Sequence, residues 1–286
     1  AIIGLPANIF FGTGIPTLIM VLKQHRDNDD VLIVDASKGF VKDGKQNKLR
    51  ACDIKRIADT VRDRKSIPGF SRAVSRDEIR QNGYNLNIPR YVDSSETAVQ
   101  YDIYATMFGG IPESEIDSLE NYWQALRGEL FQRNEDDSPY ASVKVESIAD
   151  AINENADVKA LKQSFVDAFA GFEDMLHDHL ITNVMSVNEM KEQDAIAEEI
   201  FRRLQSIALV DKYTAYQALA DNWQTIVNDI ETIQTDGMEA VRAVEQAYKI
   251  KKDGDDEVEV PDGLKGRILP FELVQSVKFQ SELDAI

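Results

Sequence analysis

The amino-acid sequence predicts an α/β fragment over its first third, followed by a mainly α-helical region with one small β-hairpin. The segments Ile15–Leu22 and Val31–Ala36 contain almost no polar residue, which is typical of strands buried on both faces of a sheet. Their connection is too short to hold a crossover helix, so we expect the two strands to be antiparallel neighbours. From Ile111 onward the apolar residues recur at helical spacing.

The net charge of −18 is distributed unevenly along the 286 residues. Residues 1–108 carry 16 Lys and Arg against 13 Asp and Glu, whereas residues 109–286 carry 16 against 37. The acidic part repels phosphates, so only the first third can present a face to nucleic acid. Gly109-Gly110 marks the change, and we predict a domain boundary there, between residues 1–108 and residues 111–286.

The composition also excludes several classes of protein. No apolar run approaches the ~20 residues of a transmembrane helix. The single cysteine, Cys52, excludes an internal disulfide framework and fits a reducing compartment, so we expect a cytoplasmic protein. His177 and His179 lie two residues apart in a predicted helix and face different ways, so we expect no metal site.

A glycine-bracketed turn, Gly12-Thr13-Gly14, precedes the first long strand. A glycine loop that holds phosphates opens a helix, whose N-terminus attracts the anion. This turn opens a strand instead. We therefore interpret it as a tight turn that uses the backbone freedom of glycine, and we reject a nucleotide-binding loop.

Two short helices are predicted after the strands. Asp53–Arg64 carries its apolar residues on one face, as a helix does at a surface. Ser75 and Glu78 have the spacing of a capping box, which predicts a helix that ends at Gln81. We expect Tyr84–Asp93 to be extended.

Apolar stripes predict four helices after the glycine pair. The helices begin at Pro112, about Val145, Ser186 and about Tyr213, and Trp123 lies in the first stripe. These segments have room to form an elongated bundle.

An alternating pattern around an acidic turn predicts the small β-hairpin. Its strands are Tyr248–Lys252 and Glu257–Val260, which place opposite charges across from each other. A last helix is predicted to begin at Pro270.

Four strings of residues occur in order within the first hundred residues. They are GLPANIFFGTGIPT at 4–17, VDAS at 34–37, KQNKL at 45–49 and YNLNIPRYVD at 84–93. Together they resemble the modification (M) subunit of type I restriction–modification systems. The resemblance is strong over residues 1–108 and weaker over the helical remainder.

The resemblance implies a subunit that transfers a methyl group from S-adenosylmethionine to adenine N6 in DNA. It also implies that the strand pair is the final antiparallel hairpin of a Rossmann-like methyltransferase sheet. The glycine-rich cofactor turn and the Asn-Pro-Pro-Tyr/Phe catalytic motif of the family do not occur in this sequence. We expect both to lie in an upstream part of the subunit, and we assign no catalytic, cofactor-binding or metal-binding residue to this chain.

Phe10 and Phe11 immediately precede the glycine turn. Methylation of adenine N6 in a duplex requires that the base leave the stack. By the resemblance, an aromatic ring before this strand stacks on the extruded base, and we place Phe10 ahead of Phe11. The alternative is that one or both rings belong to the core, which is the usual place of Phe.

A polar and basic loop, Ser37–Arg56, leads into the first helix. Its cations are candidates for contacts to DNA phosphates, and we select Lys42, Lys45, Lys48 and Arg50. The alternative is a loop that is simply solvated.

The resemblance implies several partners. These are a specificity (S) subunit, a second M subunit, restriction (R) subunits and, through the complex, double-stranded DNA. We expect the helices of residues 111–286 to pack against the S subunit. Two alternatives from other classes are a non-enzymatic acidic helical interaction protein and an anti-restriction DNA mimic, suggested by the net charge. The positive balance of residues 1–108 argues against the mimic.

Overall fold

The structure, a computed structural model, describes residues 1–25, 28–95, 101–118, 127–134, 138–253 and 256–271. The chain forms two compact units. Unit 1 comprises residues 1–168 and 201–218, and unit 2 comprises residues 169–200 and 219–286. These units are defined by packing, and the domain boundary at Gly109-Gly110 stays a prediction.

The described residues form short strands and longer helices. The strands are β1 (Ile2–Gly4), β2 (Leu18–Met20), β3 (Val31–Asp35), β4 (Val41–Asp43), β5 (Gln46–Lys48), β6 (Ser71–Val74), β7 (Ile111–Pro112), β8 (Phe131–Arg133), β9 (Tyr140–Val143), β10 (Val244–Asp253) and β11 (Asp256–Gly266). The α-helices are α1 (Ala51–Asp63), α2 (Arg76–Gln81), α3 (Ile103–Phe108), α4 (Glu113–Ser118), α5 (Arg127–Leu130), α6 (Ile148–Glu154), α7 (Ala156–Ala168), α8 (Phe172–His177), α9 (Glu189–Leu204) and α10 (Lys212–Asp236). The chain is therefore of the mixed α/β class, as predicted.

A four-stranded sheet with the order β2-β1-β3-β6 organises unit 1. Strand β1 is antiparallel to β2 and parallel to β3, and β6 is antiparallel to β3. The prediction that β2 and β3 are neighbours is therefore wrong, although they do run in opposite directions. A short connection excludes a parallel crossover, but it does not prevent an earlier strand, here β1, from lying between the two.

Strand β3 is the centre of the core and is buried on both faces, as predicted. Leu32 and Val34 pack with residues of β1 and with the apolar face of α1. Ile33 faces the other side, where it packs with Val74 and Ile79. Because successive strand side chains point to opposite faces, three consecutive apolar residues hold both layers to the sheet.

Strand β2 lies at the edge of the sheet and is exposed, so the prediction that it is buried on both faces is wrong for the described residues. Leu18, Ile19 and Met20 keep 56%, 47% and 53% of their surface exposed. Val21 and Ala1, which lie next to β2 and β1, exchange two hydrogen bonds. Hydrogen-bonded and non-hydrogen-bonded pairs alternate along an antiparallel ladder. The peptide N–H and C=O groups of Leu18 and Met20 therefore point away from β1, where no described strand pairs with them.

The two predicted helices of the first third are present. Helix α1 begins at Ala51, two residues earlier than expected. Helix α2 begins after Ser75, whose hydroxyl accepts a hydrogen bond from the Glu78 N–H at 3.2 Å, and ends at Gln81 as predicted. The expected extended segment Tyr84–Asp93 is wrong in part, because Ile88–Arg90 forms a 3-10 turn. Proline fixes a backbone angle that such a turn accepts.

A three-stranded sheet with the order β7-β9-β8 follows in unit 1. This sheet was not predicted. The expectation that the helical region contains a single small β-hairpin and no other sheet is therefore wrong. Helix α4 begins at Glu113, as the first helical stripe predicts, and buries Ile116. Trp123 lies outside the described residues. The sheet was missed because its strands are two to four residues long and show no alternating pattern.

Unit 2 has a core between helix α10 and the segment before α9. Val184 packs with Ile230 and Ile233 in this core. Helix α9 begins after Asn188, which accepts a hydrogen bond from the Lys191 N–H at 3.1 Å, and so starts later than the predicted capping box at Ser186.

The predicted β-hairpin of unit 2 is present and is longer than expected. Strands β10 and β11 pair from Val244 to Gly266, with Ile250 opposite Glu259. The predicted last helix from Pro270 lies almost entirely outside the described residues. Within the part of the chain that the structure covers, no helix is both long and apolar enough to cross a membrane.

Leu32→Ala tests the central position of β3. The substitution leaves a cavity between β1 and α1, so we expect the free energy of unfolding to fall by about 2–5 kcal/mol in urea denaturation followed by circular dichroism. The matched control is Leu22→Ala, which removes the same atoms from a side chain that is 84% exposed. We expect the control to stay within about 0.5 kcal/mol of the parent chain. Equal effects of the two substitutions would contradict this assignment of the core.

Candidate functional site

The carboxyl ends of β1 and β3 lie side by side at one edge of the sheet. The two strands are parallel, with Gly4 opposite Asp35, and the Ala36 N–H donates to the Gly4 carbonyl at 2.9 Å. A Cβ at Gly4 would lie 2.6 Å from the Cδ1 atom of Ile88, so a larger residue there would displace the end of the Ile88 side chain. Ligands of open α/β sheets bind beyond the carboxyl ends of such strands, which makes this edge the candidate site.

The aromatic pair lies in the segment that leaves β1 at this edge. Phe10 is 54% exposed and Phe11 is 95% exposed, so neither ring belongs to the core of the described residues. Gly12 has a φ of 80°, which closes the turn, and the chain then enters β2 and not a helix, as expected. The role of the rings in base stacking stays a prediction.

The basic hairpin β4–β5 is fastened to the aromatic segment. The Asn47 side chain donates a hydrogen bond to the carbonyl of Ala7 at 2.8 Å, and the Asn47 N–H donates to the carbonyl of Asn8 at 2.9 Å. Asn8 has a φ of 56°, a conformation that Asn tolerates better than most residues. These two hydrogen bonds therefore fix the position of the hairpin relative to the aromatic segment.

The three candidate lysines lie on this hairpin and are exposed. Lys42 is opposite Asn47, and Lys48 is opposite Val41. Facing residues share one side of a ribbon, so Lys42 lies on the side of Asn47 and Lys48 lies on the other side. Lys45 is at the tip. The structure thus brings the candidates together on adjoining segments, without aligning all three lysines on one face.

Arg50, the fourth cationic candidate, is engaged within the chain. Its guanidinium donates two hydrogen bonds to the Asp53 carboxylate, at 2.9 and 3.0 Å, and its peptide N–H donates a third at 3.0 Å. These hydrogen bonds raise the pKa of Arg50. Burial alone raises the pKa of Asp53, but the contacts from Arg50 outweigh it and lower the pKa. Arg50 therefore fixes the start of α1, and a DNA contact from it is a separate prediction.

Asp35 is a site residue that the sequence analysis did not select. Its carboxylate accepts hydrogen bonds from the Ser37 N–H at 3.0 Å and from the Ser94 hydroxyl at 2.5 Å. Burial raises the pKa of Asp35, but the hydrogen bonds and the nearby charge of Lys38 outweigh this effect and lower the pKa. The carboxylate is therefore charged at neutral pH. The signal in the sequence that could have identified this residue is an Asp at the end of a buried strand.

A pocket of about 310 Å³ opens beside Asp35. Charged groups on its wall come from the loop after β3 and from the first turns of α1: Asp35, Lys38, Arg50, Asp53 and Arg56. Gly39 brings the loop against the helix, since a Cβ there would lie 2.9 Å from an oxygen of Asp53. The pocket is at the lower end of the volume range, about 300–1,000 Å³, of small-molecule sites.

No group of three or more His, Cys, Asp or Glu side chains in the described part of the chain could hold a metal ion. The resemblance implies that S-adenosylmethionine is bound at a glycine-rich turn after the first strand of the sheet. The described strands are joined to the helices that follow them without such a turn, so we assign no described residue to the cofactor.

Comparison with known proteins finds several that are similar to part of this chain. Residues 1–100 match the N-6 DNA Methylase family. The chain is 38% identical over 104 residues to the type I restriction enzyme MpnII methylase subunit of Mycoplasma pneumoniae, which is 36% of this chain and 19% of that protein. It is 30% identical over 144 residues to the type I restriction enzyme MjaVIII methylase subunit of Methanocaldococcus jannaschii, which is 47% of this chain and 24% of that protein. The resemblance to type I modification subunits is therefore confirmed.

A solved structure is also similar to this chain. The type I restriction–modification methyltransferase subunit from Streptococcus thermophilus has 49% sequence identity and a TM-score of 0.32, and the match covers 33% of this chain and 20% of that one. The chain thus spans about a fifth to a quarter of the length of the methylase subunits that it matches. The segment that matches the N-6 DNA methylase family includes β1–β6 and the candidate site.

Asn47→Ala tests the link between the basic hairpin and the aromatic segment. Loss of the hydrogen bond to Ala7 costs about 1 kcal/mol, so the segment should open about fivefold more often. We expect chymotrypsin to cleave after Phe10 and Phe11 several times faster, measured by mass spectrometry. Gln46→Ala is the matched control, because the Gln46 side chain forms no hydrogen bond among the described residues. Equal cleavage of the two variants would show that Asn47 does not restrain the segment.

Proposed function

We propose that this chain is part of the modification subunit of a type I restriction–modification system. The complete subunit transfers a methyl group from S-adenosylmethionine to N6 of adenine in DNA. The observation that carries this proposal is the family match over residues 1–100, which includes an exposed aromatic pair beside a lysine-bearing hairpin. In this combination, an aromatic ring can support a base that has left the duplex while the lysines bind the DNA backbone.

The chemistry explains why an aromatic ring is needed at this edge. The amino group of adenine is out of reach inside a stacked duplex, so the base must be extruded and then supported. Stacking on an aromatic face provides that support. We keep Phe10 ahead of Phe11, as the resemblance implies. The Phe10 ring is 54% exposed and therefore has less freedom to lose on stacking than the Phe11 ring, which is 95% exposed.

The lysines supply the contacts that position the DNA. In this proposal Lys42, Lys45 and Lys48 bind backbone phosphates, with Arg50 as the fourth candidate. Such contacts carry no sequence information. The sequence is read by the S subunit, which the proposal includes as a partner.

The structural role of this chain is to close the catalytic sheet. Strand β2 supports the idea, because its apolar side chains are exposed on both faces and its outer peptide groups at Leu18 and Met20 are free of any described strand. A strand of this composition belongs inside a sheet. We infer that a further strand of the methyltransferase sheet pairs with it. The cofactor is then held by other parts of the complete subunit.

The acidic region, residues 111–286, is the proposed assembly surface. It carries 16 basic against 37 acidic residues, which disfavours DNA. We propose that it contacts the S subunit, with a second M subunit and R subunits in the same complex. DNA approaches the first third instead.

Phe10→Ala in the complete subunit tests the stacking role. Loss of a base–aromatic stack costs about 1–3 kcal/mol, so methylation should slow roughly fivefold to a hundredfold with labelled S-adenosylmethionine. DNA affinity, which the phosphate contacts dominate, should change little. Phe11→Ala is the matched control at the neighbouring position. A slow Phe11→Ala enzyme beside a normal Phe10→Ala enzyme would exchange the two roles, and two normal enzymes would rule out stacking by this pair.

Hydrogen exchange of the assembled complex tests the division of partners. We expect addition of the S subunit to protect amides within residues 111–286, because the helices there are the proposed contact. Subsequent addition of duplex DNA should protect the segment from Phe10 to Arg50. The M subunit alone, mixed with the same DNA, is the control for binding without the S subunit. Protection by the S subunit confined to residues 1–108 would overturn the assignment.

A further inference from the structure

Arg56 differs from the other basic residues of its helix. Its side chain is half-buried and lines the pocket beside Asp35. The guanidinium carbon lies 4.2 Å from the centre of the Phe70 ring and 6.0 Å from that of Tyr213, a residue of the same unit. Among the described residues, Arg56 forms no ion pair with a carboxylate. Its positive charge is therefore held in place by aromatic rings and is not neutralised.

The other basic residues on α1, and Arg50 directly before it, are different in this respect. Arg50 is bound to Asp53 through two nitrogens. Lys55 and Arg62 both pair with the buried Asp59, at 3.4 and 3.1 Å. These side chains already have anionic partners within the chain.

The carboxylates of the pocket are themselves compensated. Asp53 is matched by Arg50, and Asp35 accepts two hydrogen bonds and lies near the charge of Lys38. Tyr213 does not offset the guanidinium, because burial and the nearby charge of Asp59 raise the pKa of its hydroxyl to about 12 and keep it neutral. Among the charged side chains that line the pocket, one positive charge, that of Arg56, is left over.

We propose that this pocket binds one phosphate group of the DNA backbone, with Arg56 as its principal ligand. A phosphodiester carries one negative charge, which matches the single uncompensated cation. The planar guanidinium presents its donors in a fork that fits two phosphate oxygens, and stacking on Phe70 fixes that plane. This inference rests on the proposed function for the identity of the polymer, and it assigns to Arg56 the contact that the sequence favoured for Arg50.

The position of the pocket agrees with a backbone contact. The pocket opens at the carboxyl end of β3, and β1 delivers the aromatic segment to the same edge. A phosphate bound there lies at the same edge of the sheet as the start of the aromatic segment. The three hairpin lysines reach the backbone from exposed positions, whereas Arg56 offers a preformed recess.

The first experiment titrates the 286-residue chain with dimethyl phosphate, a model diester, and with inorganic phosphate, followed by NMR of backbone amides and arginine side chains. We expect saturable shifts at Arg56 and at Gly39 and Gly69, which also line the pocket. Arg56→Gln should weaken binding at least tenfold, and Arg56→Lys should bind with intermediate strength because it keeps the charge without the fork. Arg76→Gln, which removes one charge from an exposed position on α2, should bind as the parent does.

The second experiment measures duplex DNA binding by the complete subunit in its complex over a range of salt concentrations. One lost phosphate contact should lower the slope of log K against log salt by about 1 for Arg56→Gln, with no change for Arg76→Gln. Retained phosphate binding with an unchanged slope would overturn the DNA assignment in favour of a free phosphate. No saturable shift with either phosphate probe, or wild-type binding by a folded Arg56→Gln chain, would overturn the site. Absence of DNA binding by the parent complex would instead count against the proposed function.

Discussion

The burial of β3 on both faces is the constraint on which the first unit depends. Leu32 and Val34 hold α1 to one side of the sheet, and Ile33 holds α2 and the 3-10 turn to the other. Because packing on both faces fixes β3, the position of its carboxyl end is fixed as well. Asp35 therefore emerges at the edge where β1 also ends, and the loop that follows it meets the first turn of α1 at Asp53.

The candidate site is an assembly of small local devices built on that core. Asn47 fastens the basic hairpin to the aromatic segment, and Arg50 closes the N-terminus of α1 on Asp53. Each device uses a polar side chain for structure. Basic residues that are close together in the sequence therefore have different roles. Arg50 stabilises the fold through Asp53, whereas Arg56 forms no ion pair with a described carboxylate and places its charge at the pocket wall.

The predictable parts of the fold are those with a strong local signal. Three features can be recognised from the local sequence alone, and all three are present. They are the apolar run of β3, the one-sided apolar stripe of α1 and the Ser75 cap of α2. The neighbours of β2 could not be predicted, because strand pairing depends on distant segments and the three residues of β1 are too few to show a pattern. The β7-β9-β8 sheet was missed for the same reason.

The candidate site was predictable in composition but not in detail. The aromatic pair and the lysines stand out by type and order, and the structure brings them to adjoining segments. Which arginine is neutralised by a neighbour is decided by geometry over a few ångströms, and no spacing in the sequence separates Arg50 from Arg56 in that respect. Asn47 likewise has no distinguishing signal in the sequence, because its role depends on the hydrogen bond to the Ala7 carbonyl, which only the structure shows.

The exposed outer edge of β2 has a consequence for how this polypeptide behaves on its own. The outer peptide groups at Leu18 and Met20 pair with no described strand, and β2 carries apolar side chains on both faces and no charged residue. Such an edge is a template for strand addition. Two copies that meet along this edge can extend their sheets into one another, and further copies can follow. Colloidal stability of the isolated chain therefore depends on its strong negative charge, which keeps copies apart in dilute salt and loses its range as ionic strength rises.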